Sequence, residues 1–387
     1  MSAALFSCAV LFPHSLRIHY AFILRSRECS SFSWRTYLTS VFWENMKTVL
    51  VTGGAGYIGS HTCAALLGSG YDVVVMDSLA NSHVQVFDRL LRITGREVAF
   101  VRADVRDEAA LERVFSTYSI DAIVHFCGLK AVGESVEKPL EYYDVNLGST
   151  MALCKAMGRH GVRDLVFSSS ATVYGAAEEI PIPETAPLGQ VTNPYGRTKL
   201  MIEQILGDLH ASDPSWNLIM LRYFNPVGAH PCGLIGEDPQ DTPNNLFPYI
   251  TQVAAGRLAE LSVYGGDYPT PDGTGVRDYI HVMDLAEGHL RALEHLETRP
   301  GYAVFNLGTG RGYSVLEAVH AFEAVNGIEV PHRITARRSG DVAICYADAR
   351  KAREVLGWEA KLGIEDMVRD AWNWQRGNPD GYRGSNR

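Results

Sequence analysis

Thr48-Val49-Leu50-Val51-Thr52 is a short β-branched and apolar run, and Gly53-Gly54-Ala55-Gly56-Tyr57-Ile58-Gly59 follows it with no spacer. Such a run reads as a strand buried on both faces. Ser60 to Gly68 then shows a helical pattern. Strand, glycine loop and helix in this order limit the fold more than any other stretch. Glycines let the backbone approach a pyrophosphate closely, and the helix N-terminus supplies N–H groups and positive potential to hold it. An ordinary tight turn would not need glycines at 53, 56 and 59 together.

The next stretches repeat the plan. Asp72 to Asp77 reads as a second strand ending in an acid, eighteen residues past Gly59. A carboxylate there accepts bonds from both ribose hydroxyls and repels a 2′-phosphate, which favours NAD over NADP. Val98 to Val101 is a third strand followed by Asp104, which could reach an adenine amino group or simply cap a helix. Ala122 to Phe126 is a fourth strand, with Lys130 placed after it for a cofactor phosphate or ribose, or for solvent. Leu165 to Phe167 is a fifth and runs into Ser168-Ser169-Ser170. Alternating strands and helices from 48 to 221 predict an α/β, Rossmann-type doubly wound parallel sheet.

Asn193-Pro194-Tyr195-Gly196-Arg197-Thr198-Lys199 supplies the chemistry. Pro194 suits a helix entry. Tyr195 and Lys199, four apart, then leave one helix face. A phenol titrates near 10 and is a poor base at neutral pH. A neighbouring ammonium is expected to lower that value. Taken alone the pair could be a solvated helix start; beside a pyrophosphate loop, a ribose acid and a strand-end serine it reads as acid–base machinery.

After Leu221 the chain becomes rich in Pro, Gly and Asn. Phe247 to Ala259 is expected to be helical, Asp278 to Val282 a short strand leading into a helix that ends near Leu296, and Val304 to Gly308 a strand rejoining the first sheet. Ser314 is expected to cap a helix reaching Val325. The expected organisation is an N-terminal extension over 1–45, a nucleotide domain over 46–224, and a smaller interleaved α/β substrate domain over 225–380 from which about 302–326 returns to the first.

With 46% hydrophobic and 20% charged residues the chain reads as globular, and a net charge of −9 without a basic run disfavours nucleic acid. Cys8, Cys29, Cys63, Cys127, Cys154, Cys232 and Cys345 show no C-x-x-C spacing. They are expected to be buried thiols in a reducing, cytoplasmic setting, with no metal site. Met1 to Glu44 is acid-poor and aperiodic, and its apolar run from Ala3 to Phe12 is too short to span a membrane. Its Arg and Ser content also fits a signal or transit peptide; we read it as an extension, poorly packed, ahead of a domain that starts at Met46.

The joint pattern resembles the extended short-chain dehydrogenase/reductase superfamily. Phe126 to Ser135, Ser168 to Gly175, Leu221 to His230, Pro243 to Leu246 and Gly273 to Val282 more closely resemble UDP-glucose 4-epimerases, over a span from about Met46 to Gln375. That resemblance implies an enzyme of galactose metabolism that interconverts UDP-galactose and UDP-glucose. Tyr195 would take the proton of the 4-hydroxyl, hydride would pass from carbon 4 to bound NAD, and the 4-keto sugar would turn over and take the hydride back. Lys199 would hold the nicotinamide ribose and lower the Tyr195 pKa; Ser170 would bond the 4-hydroxyl and could relay its proton. NAD would lie against Gly53, Gly56, Tyr57, Ile58, Gly59, Asp77, Asn81, Ser82, Asp104, Val105, Phe126, Lys130, Asn146 and Phe224 as well as the catalytic three. Arg277 and Arg338 would grip the diphosphate, Asp341 the uridine ribose, and Asn225, Asn245, Leu246, Tyr264, Tyr279 and Cys345 the rest of the UDP-sugar. A homodimer built on helices of the nucleotide domain is also implied.

Three positions depart from the commonest pattern. Cys127 stands where alanine is usual, Asn146 to Thr150 shifts a glycine and leaves the local loop uncertain, and Cys345 stands where some members carry tyrosine. A thiol in place of a ring would leave room for an acetamido group, and so for N-acetylated UDP-sugars. A 4,6-dehydratase would need an acid beside the serine, and Ser170-Ala171-Thr172-Val173 has none. A 4-reductase would need cofactor exchange. A non-catalytic NAD sensor would keep its function without Tyr195.

Overall fold

The computed structural model describes residues 47–385 except 190, 240–242, 244, 339 and 340. The expectation for residues 1–45, with Cys8 and Cys29, lies outside the described residues. The first half alternates strands and helices, with two successive helices between its fourth and fifth strands. β1 (Thr48–Thr52), α1 (Tyr57–Gly68), β2 (Asp72–Asp77), α2 (Val86–Thr94), β3 (Ala99–Arg102), α3 (Glu108–Thr117) and β4 (Ala122–His125) lead into α4 (Val132–Glu137), α5 (Pro139–His160) and β5 (Asp164–Ser170). A 3-10 turn (Ala171–Tyr174), α6 (Pro194–Ser212) and β6 (Asn217–Tyr223) follow. The second half contains β7 (Asn225–Val227), α7 (Leu246–Ala254), β8 (Leu261–Tyr264), β9 (Val276–Arg277), β10 (Tyr279–His281), α8 (Val282–Leu296), β11 (Tyr302–Leu307), β12 (Tyr313–Ser314), α9 (Val315–Asn326), β13 (His332–Thr335), β14 (Ile344–Cys345), α10 (Arg350–Leu356) and α11 (Ile364–Gly377).

The main sheet has seven strands in the order β11-β6-β5-β4-β1-β2-β3, with every pair parallel. Its strands are apolar at consecutive positions because both faces are covered. Val49 and Val51 pack with α1, α2 and α8 on one face, whereas Leu50 packs with α3, α5 and α6 on the other. Order reverses between β1 and β4. The crossovers from these two strands leave in opposite directions, and a crevice opens at their carboxyl ends. The glycine loop and the Cys127–Lys130 loop follow strands on that edge, and Ser168–Ser170 end one.

β11 joins the same sheet beside β6, in the register Tyr302↔Leu218 to Leu307↔Tyr223. The remaining strands form small sheets: β10 with β7, β13 with β8, and β12-β9-β14. Helix starts follow local chemistry. Pro194 occupies the first turn of α6. Ser314 and Glu317 form a complete capping box on α9. Asp107, not Asp104, caps α3, accepting from Ala110 N–H at 3.0 Å.

Several expectations need correction. α1 begins at Tyr57, three residues before the expected Ser60, because the helix opens inside the glycine loop. α7 ends at Ala254 and not at 259; Gly256, at φ +70°, turns the chain toward β8. Asn146 to Thr150 is no loop but the middle of α5. The cysteines are not uniformly buried: Cys63 and Cys154 are, Cys127 and Cys345 are half-buried, and Cys232 is exposed. No helix among the described residues is long and apolar enough to cross a membrane.

Four histidines among the described residues, His61, His125, His281 and His289, are fully buried in this frame. His125 bridges Thr52 Oγ1 (2.6 Å) and Thr150 Oγ1 (3.0 Å), joining β4, β1 and α5. Burial lowers His61 and His125 to about 3 and His289 to about 4. Their unfolded value is near 6.5. The stability they confer is therefore full above pH 6.5 and is lost as pH falls toward the folded values. Their imidazole NMR signals should stay neutral from pH 8 to about 5, and the free energy of urea unfolding should drop by about 3 kcal/mol between pH 6.5 and 5.5. A flat profile across that unit would contradict the assignment.

Candidate active site

Two close approaches shape the glycine loop. Gly53 has φ +74°, and a Cβ on it would lie 2.9 Å from the backbone N of Cys127, beyond β4. A Cβ on Gly59 would lie 2.3 Å from the Gly53 carbonyl oxygen. A side chain at either position would separate β1 from β4, or α1 from its own loop. α1 has no side-chain cap and no acid in its first turn. Its first N–H groups are thus open to an anion. Tyr57 Oη donates to Gly228 O at 2.7 Å, and Ile58 packs on the core beneath the loop.

Asp77 closes the far side. Its Oδ2 accepts from Ala55 N–H (3.0 Å) in the glycine loop, and its Oδ1 from Leu79 N–H (2.8 Å) and Ser82 Oγ (3.0 Å). Leu79 adopts φ +60° to make this bend. The carboxylate is held facing the loop, with lone pairs left for ribose hydroxyls. Asn81 is exposed and Val105 buried. Asp104 is engaged by Arg106 at 2.6 Å, which holds its carboxyl below the usual range. Glycine cradle, uncapped helix start and Asp77 together fit a dinucleotide.

Asn146 is buried on α5 and ties three parts together. Its Oδ1 accepts from Leu129 N–H (2.7 Å), and its Nδ2 donates to Leu129 O (3.1 Å) and Thr198 Oγ1 (2.9 Å). It fixes the loop that carries Lys130 against α6. Gly128, at φ +154°, makes room for it: a Cβ there would meet Asn146 Oδ1 at 3.0 Å. Phe126, before this loop, packs on His289 with ring centroids 4.8 Å apart.

At the start of α6, Asn193 Oδ1 accepts from Gly196 N–H at 2.8 Å, a cap worth about 1 kcal/mol. Lys199 is 5% exposed, donates to Ser168 O at 2.6 Å, and lies 6.0 Å from the Tyr195 ring centroid. Burial lowers it to about 8, opposed by Cys127 and Glu203. Tyr195 corrects the sequence expectation. Its phenol is raised, not lowered, because burial outweighs everything else, and the group that pulls it back is Ser170 through a side-chain hydrogen bond. Burial of a weakly solvated phenolate is the stronger effect. Sequence spacing places two groups on one helix face but carries no information about desolvation.

The second half supplies a wall of cations and small polar groups. Arg277 and Cys345 are partners across β9 and β14. Arg277 lies 3.7 Å from Asp341, and the Arg338 guanidinium stacks 3.8 Å above the Tyr264 ring centroid. Burial pushes the half-buried Cys345 thiol up to about 11. Phe224 and Tyr279 are buried and Asn225 is exposed, on segments joined by Asn225 N–H to Asp278 O at 2.9 Å. Asn245 precedes α7 but does not cap it. Its Nδ2 instead donates to Glu237 Oε1 at 2.8 Å, the atom that Lys130 Nζ reaches at 3.1 Å. Leu246 packs on the core behind it.

Sequence reading missed Glu237, which links Lys130 to Asn245; nothing in Gly236-Glu237-Asp238 signals it. It also missed Asp278, whose buried carboxylate accepts from Thr309 N–H and Oγ1, Gly310 N–H and Ala347 N–H and so fixes the wall behind Arg277. Glu203 was findable, four residues after Lys199 on α6. It pairs with Arg222 at 2.6 Å in a site almost closed to solvent, and Ser169 bonds the same carboxylate. Among the described residues no group of acids, histidines and cysteines could hold a metal.

Residues 49–308 match the NAD dependent epimerase/dehydratase family. A UDP-glucose 4-epimerase from Bacillus subtilis is 60% identical over 335 residues, covering 87% of this chain and 98% of that protein. The structure of UDP-glucose 4-epimerase from Bifidobacterium longum in complex with NAD+ and UDP is 57% identical, with a TM-score of 0.85, covering 87% of this chain and all of that one. The UDP-Glc/GlcNAc 4-epimerase from Campylobacter jejuni is 36% identical, with a TM-score of 0.75 over 86% of this chain and 99% of that one. The chain belongs to the NAD dependent epimerase/dehydratase family and, within it, groups with the UDP-glucose 4-epimerases.

Proposed function

We propose that this chain interconverts UDP-galactose and UDP-glucose by inverting carbon 4 of the sugar, with NAD as its resident cofactor. The observation that carries the reading is the conjunction of Tyr195, Lys199 and Ser170 at the carboxyl edge of a sheet whose glycine loop fits a dinucleotide. The likeness to the Bifidobacterium longum enzyme, solved with NAD+ and UDP, supports it. In this reading residues 46–224 form the cofactor half, to which 302–326 returns, and 225–380 the UDP-sugar half.

The loop N–H groups, Asp77 and Ser82 hold the dinucleotide, with Lys130 and Asn146 on its other flank and Tyr57, Ile58, Asn81, Asp104, Val105, Phe126 and Phe224 around it. Bound NAD supplies a reversible acceptor for the hydride of carbon 4. Tyr195 takes the 4-hydroxyl proton and later returns it. A phenol raised by burial is a reluctant base, so groups that favour its anion matter: the Ser170 hydrogen bond and the Lys199 ammonium. Arg277 and Arg338 take the diphosphate, Asp341 the uridine ribose, and Asn225, Asn245, Leu246, Tyr264 and Tyr279 line the nucleotide-sugar. Gripping the UDP remotely leaves the sugar free to turn over.

Half-buried Cys345 beside Arg277 takes less room than the tyrosine of some family members, which supports acceptance of N-acetylated UDP-sugars. A homodimer is supported by apolar side chains left in solvent on α4 and α5: Val136 is 62% exposed, Leu140 82% and Met151 44%. Free thiols throughout the described residues suit the reducing cytoplasm.

Purified protein, given UDP-galactose and no added NAD, should form UDP-glucose. Tyr195→Phe should lower turnover at least a hundredfold, the range of a lost general base, while keeping NAD bound. Unchanged turnover in that variant would move the function to binding alone. Wild-type protein should also epimerise UDP-N-acetylglucosamine, and Cys345→Tyr should abolish that activity while sparing UDP-galactose; no wild-type turnover of the acetylated sugar removes this part. Sedimentation velocity should give a dimer that Leu140→Glu converts to monomer.

A further inference from the structure

Ser170 ends β5 and caps the 3-10 turn that follows. Its Oγ accepts from Thr172 N–H at 3.2 Å and from Thr172 Oγ1 at 3.0 Å. A serine hydroxyl has two acceptor positions and one proton. Thr172 fills both acceptor positions. The remaining capacity of Ser170 is its proton, and the partner left for it is Tyr195, to which it is hydrogen-bonded in the sense that favours phenolate. Thr172 is itself wedged in place: a Cβ on Gly196, the residue after Tyr195, would meet its Oγ1 at 3.1 Å and its Cβ at 3.2 Å. The same side chain therefore touches both the serine and the helix turn that carries the tyrosine.

On the functional reading above, we propose that Thr172 is a positioning residue that holds Ser170 as a hydrogen-bond donor to Tyr195, so that the sugar 4-hydroxyl gives its proton directly to Tyr195. A serine with no free lone pair cannot accept from the sugar, and so it is no relay. In the oxidative step the O4–H bond breaks and its proton passes to the Tyr195 oxygen. The C4–H pair leaves as hydride to NAD, and the Ser170 proton stays where it is. The return step reverses each move. The arrangement also denies neutral Tyr195 an acceptor in Ser170, so the hydrogen bond is strongest once the phenol has ionised. The charged or titratable groups that face the phenol are Lys199 on α6 and Tyr223 on β6, the latter bonded to neutral His289 on α8.

The test uses the holoenzyme with Thr172→Val, which keeps the shape and removes the hydroxyl, and Thr172→Ser, which restores it. Two readouts are followed against pH: kcat for UDP-galactose, and the tyrosinate absorbance that Tyr195→Phe removes. In Thr172→Val a lone pair of Ser170 is freed and neutral Tyr195 can donate into it. Both profiles should then move up by about one unit, which lowers kcat about tenfold below the midpoint of the tyrosinate titration and lets it converge on wild type above that midpoint. Thr172→Ser should follow wild type. An unmoved tyrosinate titration, or a loss that persists unchanged above its midpoint, would show Thr172 to be a packing residue and overturn the proposal. If Thr172→Val does not fold, Thr172→Ala carries the same comparison. A wild type that titrates as expected but never converts UDP-galactose would instead sink the functional reading and leave the Thr172 geometry standing.

Discussion

The structure depends on the contact between two backbones where the sheet reverses. Gly53 comes so near Cys127 that a single Cβ would force them apart. That approach lets β1 and β4 deliver their loops to one crevice while their crossovers leave in opposite directions. Without it the pyrophosphate loop and the Lys130 loop would be separate features. Asn146 reinforces the second loop from α5 and reaches Thr198 on α6, one residue before Lys199. The cofactor floor and the acid–base pair are thus joined by a single buried amide.

Behind the site lies a polar interior that is closed to water. Arg222 donates to both oxygens of Glu203, and also to Tyr174 Oη and Glu184 O. Tyr174 in turn bonds Asn306 on β11. Losing one partner from such a pair leaves a buried charge and costs about 3–5 kcal/mol. The consequence here is geometric. Glu203 stands one turn beyond Lys199, so the network anchors α6 to β6 and β11 at the depth where the lysine must stay. It also opposes the desolvation that lowers Lys199. Held at about 8, that ammonium is charged at neutral pH.

Legibility in the sequence followed the range of the interaction. The parallel sheet, its helices and the NAD loop were plain because strands buried on both faces leave continuous apolar runs, and glycines mark close approaches. Pro194 and Ser314 were legible as helix starts for the same local reason. The order of strands in the sheet was not: it rests on contacts between residues far apart in the chain, as when Tyr302 pairs with Leu218. Asp104 looked like a cap, but Asp107 has the spacing to reach Ala110 N–H. Tyr195 failed differently. Lys199 was named as the group that would lower it, but the sign of the shift was set by burial, which no spacing encodes, and the group that opposes burial is Ser170.

The two halves of the site are built on different supports, and the division suits the reaction. Tyr195, Lys199 and Ser170 sit on a long helix and a central strand, rigid supports of the kind that the proposed proton transfer needs. Arg277 and Cys345 sit on two-residue strands, and Arg338 reaches its place by lying on the Tyr264 ring. A planar guanidinium on an aromatic face keeps its N–H edges available for phosphate. Asp278, bonded to Thr309, Gly310 and Ala347, steadies this wall from behind without entering it. Rigid chemistry on one side and a distant grip on the nucleotide on the other leave the sugar as the part that moves. Inversion requires that freedom, since each face of carbon 4 must be turned to the hydride carrier in turn while the 4-oxygen stays within the site.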